Sequence, residues 1–214
     1  MPPVPRDTLL RRLRAILPGH CLLTDTESQR PFECDALTIY RELPLLVVLA
    51  ETVEQVPQVL RSCHELAVPV VARGAGTGLS GGAMPHAQGV VLSLARFNRI
   101  LRVDREARLA VVQPGVRNLA VSEAAAPFGL YYAPDPSSQI ACTLGGNVAE
   151  NSGGVHCLKY GLTVHNVLRI RVVSIEGEVF EIGSEAPDAP GYDLLALMIG
   201  SEGMLGVVTE VTVK

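Results

Sequence analysis

The sequence predicts an α+β protein of two lobes, a small βαβ lobe followed by a larger, mostly antiparallel β lobe with flanking helices. In the first half, two short apolar runs, residues 45–50 and 68–72, enclose a segment with helical periodicity. From residue 89 onwards strand-like runs dominate, and one of them contains the turn IEGEV between two apolar segments. The first pattern is typical of a βαβ unit, and the second is typical of antiparallel sheet.

The N-terminal region has one clear element. Residues 7–17 have the apolar spacing of an amphipathic helix, and a Pro-Gly pair directly after them would end it. Residues 20–43 show no clear period. We therefore predict an N-terminal helical extension over residues 1–39, followed by a folded domain over residues 40–214.

The small lobe is predicted over about residues 40–98. Its first strand is the β-rich run 45–50, and Thr52 with Gln55 predicts a capping box at the start of the following helix. Residues 68–72 predict the second strand of the βαβ unit, and a glycine-rich loop comes directly after that strand.

The large lobe is predicted over about residues 99–214. Strand patterns occupy the segments 100–115 and 167–183, and the turn IEGEV makes the second of these a hairpin. The C-terminal GVVTEVTVK is a further strand pattern. A helix is predicted over residues 116–127, before a proline and a glycine that would end it.

Composition excludes several functional classes. The chain has 214 residues, 48% of them hydrophobic, and a net charge of −4 with scattered arginines, so nucleic acid is not expected as a partner. Its five cysteines form no CxxC pair, and no cluster of histidines suggests a metal, so reduced thiols in a cytoplasmic protein are expected. We find neither a secretory signal nor an apolar run long enough to span a membrane.

The glycine-rich loop lies within PVVARGAGTGLSGGA, residues 69–83, and contains the pattern G-x-G-x-x-G. A Rossmann fingerprint needs a helix directly after the glycines, and a Walker loop needs a lysine, but neither is found here. The loop therefore predicts an anion-binding nest of backbone amides, supported by the hydroxyls of Thr77 and Ser80 and by the charge of Arg73. The alternative is a plain glycine-rich turn between strands.

Two later segments have similar chemistry. Residues 132–161 read as a long polar loop rich in glycine, with Asp135 between two prolines, and residues 200–206 repeat these features near the C-terminus. Three such loops on a β-rich frame favour a long, flat, polar ligand such as a dinucleotide.

Four motifs now carry a resemblance, namely ARGAGTGLSGGA, PDPSS, CTLGGNVAENSGGVHCLKYGLTVHNV and GSEGMLGVVTEV. Together they resemble the FAD-binding domain of FAD-linked oxidases of the vanillyl-alcohol oxidase and p-cresol methylhydroxylase type. Within that family the sequence is most similar to the group of glycolate oxidase D subunits and D-lactate dehydrogenases. The resemblance covers about residues 40–214.

The resemblance implies a set of cofactor-binding residues. The residues expected to cradle the FAD pyrophosphate are Arg73, Gly74, Ala75, Gly76, Thr77, Gly78 and Ser80. Those expected beside the flavin and its ribityl chain are Pro134, Asp135, Ser137, Thr143, Gly145, Gly146 and Asn147. The same cofactor wall is expected to include Ser152, Gly153, Gly154, Tyr160 and Gly161. The adenosine half is expected near Glu202, Gly203 and Val208.

The resemblance also bears on the histidines and cysteines. Some relatives attach FAD covalently through a histidine in the pyrophosphate loop, but the corresponding loop here carries Thr77 and is followed by no histidine before His86, so we expect non-covalent FAD. His156 and His165 are candidates for acid–base work, and the favoured alternative makes both hydrogen-bonded wall residues. Cys142 and Cys157 are expected to be small apolar fillers.

The activity implied by the resemblance is oxidation of a 2-hydroxy acid, such as glycolate or D-lactate, by hydride transfer to FAD. The electrons would pass to a quinone, a cytochrome or an iron–sulfur subunit, and such partners would place a cytoplasmic protein at the inner membrane. The catalytic base and the substrate clamp would come from a C-terminal cap domain, for which no residues are found here. The alternatives are an FAD-binding module inactive without its cap, an oxidase of the same fold with another alcohol substrate, and a binding module without flavin.

Overall fold

The computed structural model describes residues 6–186, 188 and 190–214, and two sheets divide them into the two predicted lobes. The strands are β1 (Leu22–Leu23), β2 (Leu46–Leu49), β3 (Val70–Arg73), β4 (Val90–Ser93), β5 (Ile100–Asp104), β6 (Leu109–Val112), β7 (Val167–Val173), β8 (Val179–Gly183) and β9 (Val207–Val213). The helices are α1 (Arg6–Ile16), α2 (Thr26–Gln29), α3 (Gln55–Glu65), α4 (Asn118–Ala125), α5 (Leu144–Glu150), α6 (Cys157–Tyr160), α7 (Thr163–Asn166) and α8 (Leu194–Met198). Short 3-10 turns occupy Gly19–Cys21, Arg30–Phe32 and Ala126–Phe128.

The first sheet has the strand order β1-β2-β4-β3, and its last three strands are parallel. The predicted βαβ unit is present, but its strands β2 and β3 are not neighbours, because β4 lies between them and pairs with both. All four residues of β4 are buried, as expected for a central strand covered on both faces. The connection from β3 to β4 contains the glycine loop and no helix.

The first lobe includes the N-terminal region. Leu9 and Leu13 of α1 are fully buried and share one apolar core with Val56 and Leu60 of α3. Strand β1, for which the sequence has no periodic signal, pairs antiparallel with β2. The domain boundary at residue 40 stays a prediction, and residues 1–5 of the predicted extension lie outside the described part of the chain.

Helix α3 begins later than the predicted capping box. Glu54 occupies the N-cap position, and the Gln55 side chain turns back to accept hydrogen bonds from the backbone N–H groups of Glu51 and Thr52, at 2.8 and 3.1 Å. The glutamine half of the box is therefore present, although Thr52 does not occupy the cap position.

The second sheet has the order β5-β6-β9-β7-β8 and is antiparallel throughout, as predicted. Its buried face carries Val112, Ile170 and Val211, which pack with Leu144 and Val148 of α5. Helix α5 is thereby fixed on the sheet, and this contact determines the position of the candidate site.

The predicted IEGEV hairpin joins β7 to β8 and also connects the lobes. Its turn residue Gly177 has φ of +79°, and a Cβ there would lie 2.5 Å from the carbonyl oxygen of Pro57 in α3. Arg61 of the same helix donates hydrogen bonds to the carbonyls of Glu176 and Gly177, at 3.3 and 3.4 Å. Within the described residues, no helix has the length and apolar character needed to cross a membrane.

Candidate functional site

A cleft of about 290 Å³ lies where the two lobes meet, and three segments form its walls. They are the loop of residues 74–83, which we call the glycine loop, helix α5, and the loop of residues 200–206. The structure brings together on this cleft the predicted residues Arg73, Gly74, Ala75, Gly76, Thr77, Gly78, Ser137, Thr143, Gly145, Gly146, Asn147, Ser152, Glu202, Gly203 and Val208.

The glycine loop follows β3 as an irregular segment, and residues 74–89 contain no helix. A Rossmann site needs a helix directly after the glycines, and the structure has none there, as the sequence predicts. Gly76 and Gly81 have φ of +69° and +83°, a region that L side chains rarely adopt. The loop therefore needs glycine at both positions for its backbone path alone.

Arg73 lies beneath the loop, with 7% of its surface exposed. Its guanidinium donates hydrogen bonds to the carbonyls of Ala83 and Pro31, at 3.2 and 3.4 Å, and lies 5.6 Å from the ring centre of Phe32. Burial lowers the pKa of Arg73 from its ordinary value. A Cβ on Gly76 would collide with this guanidinium, so the same glycine also makes room for the arginine.

Helix α5 corrects the prediction of a continuous loop over residues 132–161. Thr143 is its N-cap, and the Thr143 hydroxyl accepts a hydrogen bond from the Gly146 N–H at 3.3 Å. The N–H groups of Leu144 and Gly145 donate to the carbonyls of Val116 and Pro114. The first amides of α5 are thus already bonded, and the helix offers the cleft mainly its glycine surface and side chains.

A buried amide pair supports α5 from below. Asn147 and Asn118 are 2% and 1% exposed, and Asn118 Nδ2 donates to Asn147 Oδ1 at 2.9 Å. Asn118 also donates to the carbonyl of Pro134 at 2.9 Å, and Asn147 donates to the Ser152 hydroxyl at 3.3 Å. The sequence does not single out Asn118, since one asparagine in the first turn of a helix has no distinctive pattern.

The loop at 200–206 is attached to the C-terminal end of α5. The backbone N–H groups of Gly200 and Glu202 donate to the carbonyls of Val148 and Ala149, at 2.8 and 2.9 Å. Glu202 has φ of +54°, an uncommon value for a residue other than glycine. These contacts hold the Glu202 carboxylate within 3.6 Å of the position that a Cβ on Gly82 would take.

Glu150, at the end of α5, is a second carboxylate on the cleft, and it is not among the residues predicted from the sequence. It accepts a hydrogen bond from the Ser80 hydroxyl at 2.9 Å, and a Cβ on Gly82 would lie 2.9 Å from its Oε1. Glu150 can be predicted as a site residue only if residues 144–150 are known to form a helix. The helix directs the Glu150 side chain towards the glycine loop.

Seven predicted residues do not line the cleft, namely Ser80, Pro134, Asp135, Gly153, Gly154, Tyr160 and Gly161. Gly153 and Gly154 are packing positions, because a Cβ there would collide with Leu162 and with the backbone of Asp135. Tyr160 lines a separate apolar cavity of about 650 Å³ on the second lobe, where its ring meets Tyr131 edge-on at 6.1 Å.

His156 pairs with Asp135 at the surface. Its Nδ1 lies 2.6 Å from Asp135 Oδ2, and its backbone N–H donates to Oδ1 at 3.2 Å. Burial acts to raise the pKa of Asp135, but the hydrogen bonds from His156 outweigh it and hold that pKa below its usual value. His165 Nδ1 accepts the backbone N–H of Leu162 at 3.1 Å. Among the residues described, no histidine lines the cleft.

The cysteines and possible metal ligands lie mostly elsewhere. Cys142 is buried beside Asn147 and touches the cleft, whereas Cys157 is half-buried. Donor atoms of His20, Cys21 and Glu51 lie within 4.8 Å of one another, away from the cleft. The guanidinium of Arg96 already donates hydrogen bonds to both Glu51 and Cys21 there.

Comparisons with known proteins identify the family to which the chain is similar. Residues 44–183 match a family model described as an FAD binding domain. The whole chain is 62% identical to the glycolate oxidase subunit GlcD of Escherichia coli and spans 43% of it. It is 40% identical over 208 residues to a D-lactate dehydrogenase of Anaerostipes hadrus. This match covers 96% of this chain and 43% of that protein.

A solved structure of alkyldihydroxyacetonephosphate synthase superposes with a TM-score of 0.85 and 25% identity, over 97% of this chain and 40% of its own. The chain thus spans less than half the length of these relatives. The two-lobed fold and the match over residues 44–183 lead to one conclusion: the chain belongs to the FAD binding domain family.

Proposed function

We propose that the cleft binds FAD non-covalently, in an extended form, with the pyrophosphate against the glycine loop. The observation that carries this proposal is that glycine backbone of the glycine loop closely approaches α5 and its N-cap on the opposite side of the cleft. A Cβ on Gly74 would collide with the Thr143 hydroxyl, and one on Gly78 would lie 3.3 Å from Glu150. Gly74, Gly76 and Gly78 also line the cleft without side chains, so a ligand would meet main-chain groups on that side, as phosphates do in backbone nests.

The charges of the cleft indicate that different groups of the protein would bind different parts of the ligand. Arg73 is engaged beneath the loop, and Glu150 and Glu202 are carboxylates, so side-chain charge does not attract a pyrophosphate strongly. Backbone amides and the Thr77 hydroxyl would bind the phosphates. Carboxylates accept hydrogen bonds from hydroxyl groups, so Glu150 and Glu202 suit the ribityl and ribose parts of FAD.

The activity we propose is that of a flavin-dependent 2-hydroxy-acid oxidoreductase, acting on glycolate or D-lactate. Bound FAD would supply the two-electron acceptor for the hydride that leaves the substrate α-carbon. The residues of this chain would hold and orient that cofactor: α5 beside the flavin and ribityl half, the glycine loop at the central pyrophosphate, and the 200–206 loop against the adenosine half. The names of the two curated relatives, together with the family match, support this proposal.

One observation favours a second candidate, an FAD-binding module that does not turn over substrate by itself. The ionisable side chains among the described residues of the cleft are Arg73, Cys142, Glu150 and Glu202. None of them is a histidine, which is the usual group for taking a hydroxyl proton near neutral pH. The base would then come from outside this cleft, for example from a cap domain.

The test is to titrate the purified chain with FAD and follow quenching of flavin fluorescence and retention of the yellow colour on gel filtration. Stoichiometric uptake is expected, and a colourless chain that takes up no FAD would favour a binding module without flavin. Turnover of glycolate or D-lactate with an artificial acceptor then separates the enzyme from the inactive module. Anaerobic bleaching by other alcohols would instead identify a different substrate class.

We further propose an electron-transfer partner, such as an iron–sulfur subunit, which would attach a cytoplasmic protein to the inner membrane. The support is that one relative is itself named a subunit. Co-purification of this chain with a subunit that shows iron–sulfur absorbance is the expected result. Reduction of a quinone analogue by the isolated protein would remove the need for that partner.

A further inference from the structure

We propose that Asp35 is a positioning residue that holds the glycine loop in its anion-binding conformation. The cofactor site would then include residues 31–36, which lie outside the family match at 44–183 and outside the predicted binding residues. This inference rests on the proposed binding of FAD, and it deepens that proposal by adding a residue that shapes the site without touching the ligand.

The Asp35 carboxylate is only 3% exposed, yet it reaches the tip of the glycine loop. Its Oδ2 accepts the backbone N–H of Gly81 at 2.9 Å, and its Oδ1 accepts the N–H of Leu37 at 3.0 Å. Gly81 has φ of +83°, so the amide that Asp35 binds belongs to one of the two positions where the loop needs glycine. The carboxylate therefore fixes a peptide orientation for which glycine alone has no preference.

Two further contacts join the same segment to the loop. The N–H of Ala36 donates to the carbonyl of Gly78 at 3.1 Å, three residues before Gly81. Arg73 donates to the carbonyls of Pro31 and Ala83, so its guanidinium links the N-terminal segment to the far end of the loop. Asp35 and Arg73 carry opposite charges and attract each other beneath the loop. Both ends of the loop are thereby tied to residues 31–36.

The physical role of these contacts is preorganisation. Glycine loses more conformational freedom on ordering than other residues do, and a ligand that had to order this loop would bind more weakly. A buried carboxylate facing a phosphate would repel it, but Asp35 already uses both oxygens on backbone amides. Its effect on FAD would therefore pass through the loop conformation.

The test uses Asp35→Asn in this chain, with Asp25→Asn as the matched control. Asparagine has the same shape, but its single carbonyl oxygen cannot replace both acceptors, so one of the two amides loses its partner. Asp25 lies in the same N-terminal region, is exposed, accepts the Ser28 N–H at 2.9 Å and does not line the cleft. Affinity for FAD is measured well below both unfolding temperatures. We expect Asp35→Asn to weaken FAD binding about tenfold or more and Asp25→Asn to leave it unchanged.

A second measurement needs no variant. In the wild-type chain without FAD, the Gly81 amide should exchange its hydrogen slowly by NMR, because Asp35 holds it. Fast exchange at Gly81, or equal FAD affinity in wild type and Asp35→Asn, would overturn the inference while leaving the proposed function intact. Equal weakening by the Asp25 control would show a general loss of folding and would likewise overturn it. Failure of the wild type to bind FAD would remove the proposed function itself.

Discussion

Individual glycines have different roles in this molecule, and the atoms around each glycine show which role it has. Gly76 combines φ of +69° with a Cβ position that collides with Arg73, whereas Gly129 has φ of +71° and nothing within 4 Å of its Cβ position. Any L side chain would be strained by a similar amount at the two positions. They differ in what a methyl group would displace, and this difference separates a site residue from an ordinary turn residue.

Gly76→Ala should destabilise the fold by about 2–4 kcal/mol and abolish FAD uptake, because the strained backbone adds to the loss of the buried Arg73 hydrogen bonds. Gly129→Ala should cost only the strain, about 1 kcal/mol, and bind FAD normally. Chemical denaturation and FAD titration of both variants provide the measurement. Normal FAD binding by Gly76→Ala would refute the pyrophosphate assignment.

The Asp135–His156 pair predicts a pH effect. The folded state lowers the pKa of Asp135, so the carboxylate stabilises the fold above its unfolded pKa of about 3.9. This contribution is lost as pH falls through the lower folded pKa. The stability difference between wild type and Asp135→Asn, about 1 kcal/mol or less at pH 5, should therefore shrink by pH 3. His156→Ala keeps the backbone hydrogen bond to Asp135 and should behave as an intermediate in thermal melts at the two pH values.

At the scale of elements, α5 is the least expected part of the site. The glycines of TLGGN indicate a loop by local propensity, yet packing of Leu144 and Val148 on the second sheet makes the segment helical. Tertiary contacts therefore outweigh the cost of two glycines in a short helix. The Thr143 hydroxyl caps α5 by accepting the Gly146 N–H, and it also packs against the glycine loop. A Cβ on Gly74 would collide with it.

Thr143→Ala should destabilise the protein by about 1 kcal/mol through loss of the N-cap and should also weaken FAD binding. Thr143→Ser keeps the hydroxyl and should retain both properties. Asp25→Ala removes the cap of α2 instead and should cost similar stability without affecting FAD. An unchanged FAD affinity in Thr143→Ala would show that the cap serves the helix only.

At the scale of the whole molecule, periodicity was enough to predict two lobes, the parallel and antiparallel character of their sheets, and the hairpin at IEGEV. It could not place β4 between β2 and β3, because strand order depends on long-range pairing that a single sequence does not encode locally. The glycine loop was predicted from its composition. The contacts of Asp35 and Asn118 were not, because both residues form hydrogen bonds with groups that lie far away in sequence.

Because both lobes line the cleft, FAD should stabilise the molecule as a unit. At a free FAD concentration one hundred times its dissociation constant, the folded state gains about 2.7 kcal/mol, which corresponds to a rise in melting temperature of about 5–10 °C. Differential scanning calorimetry with and without FAD measures this shift. A shift confined to one of two resolved transitions would show that the ligand contacts a single lobe.

The connection between β3 and β4 has a consequence for engineering this protein. These strands are parallel neighbours, and such a pair needs a crossover of a dozen or more residues, commonly a helix. Here residues 74–89, which contain the glycine loop, form that crossover, so its length is required by the sheet whether or not a cofactor is bound. Deletions meant to produce a flavin-free version would break the first lobe, and the ligand site can be removed safely only by exchanging residues one at a time.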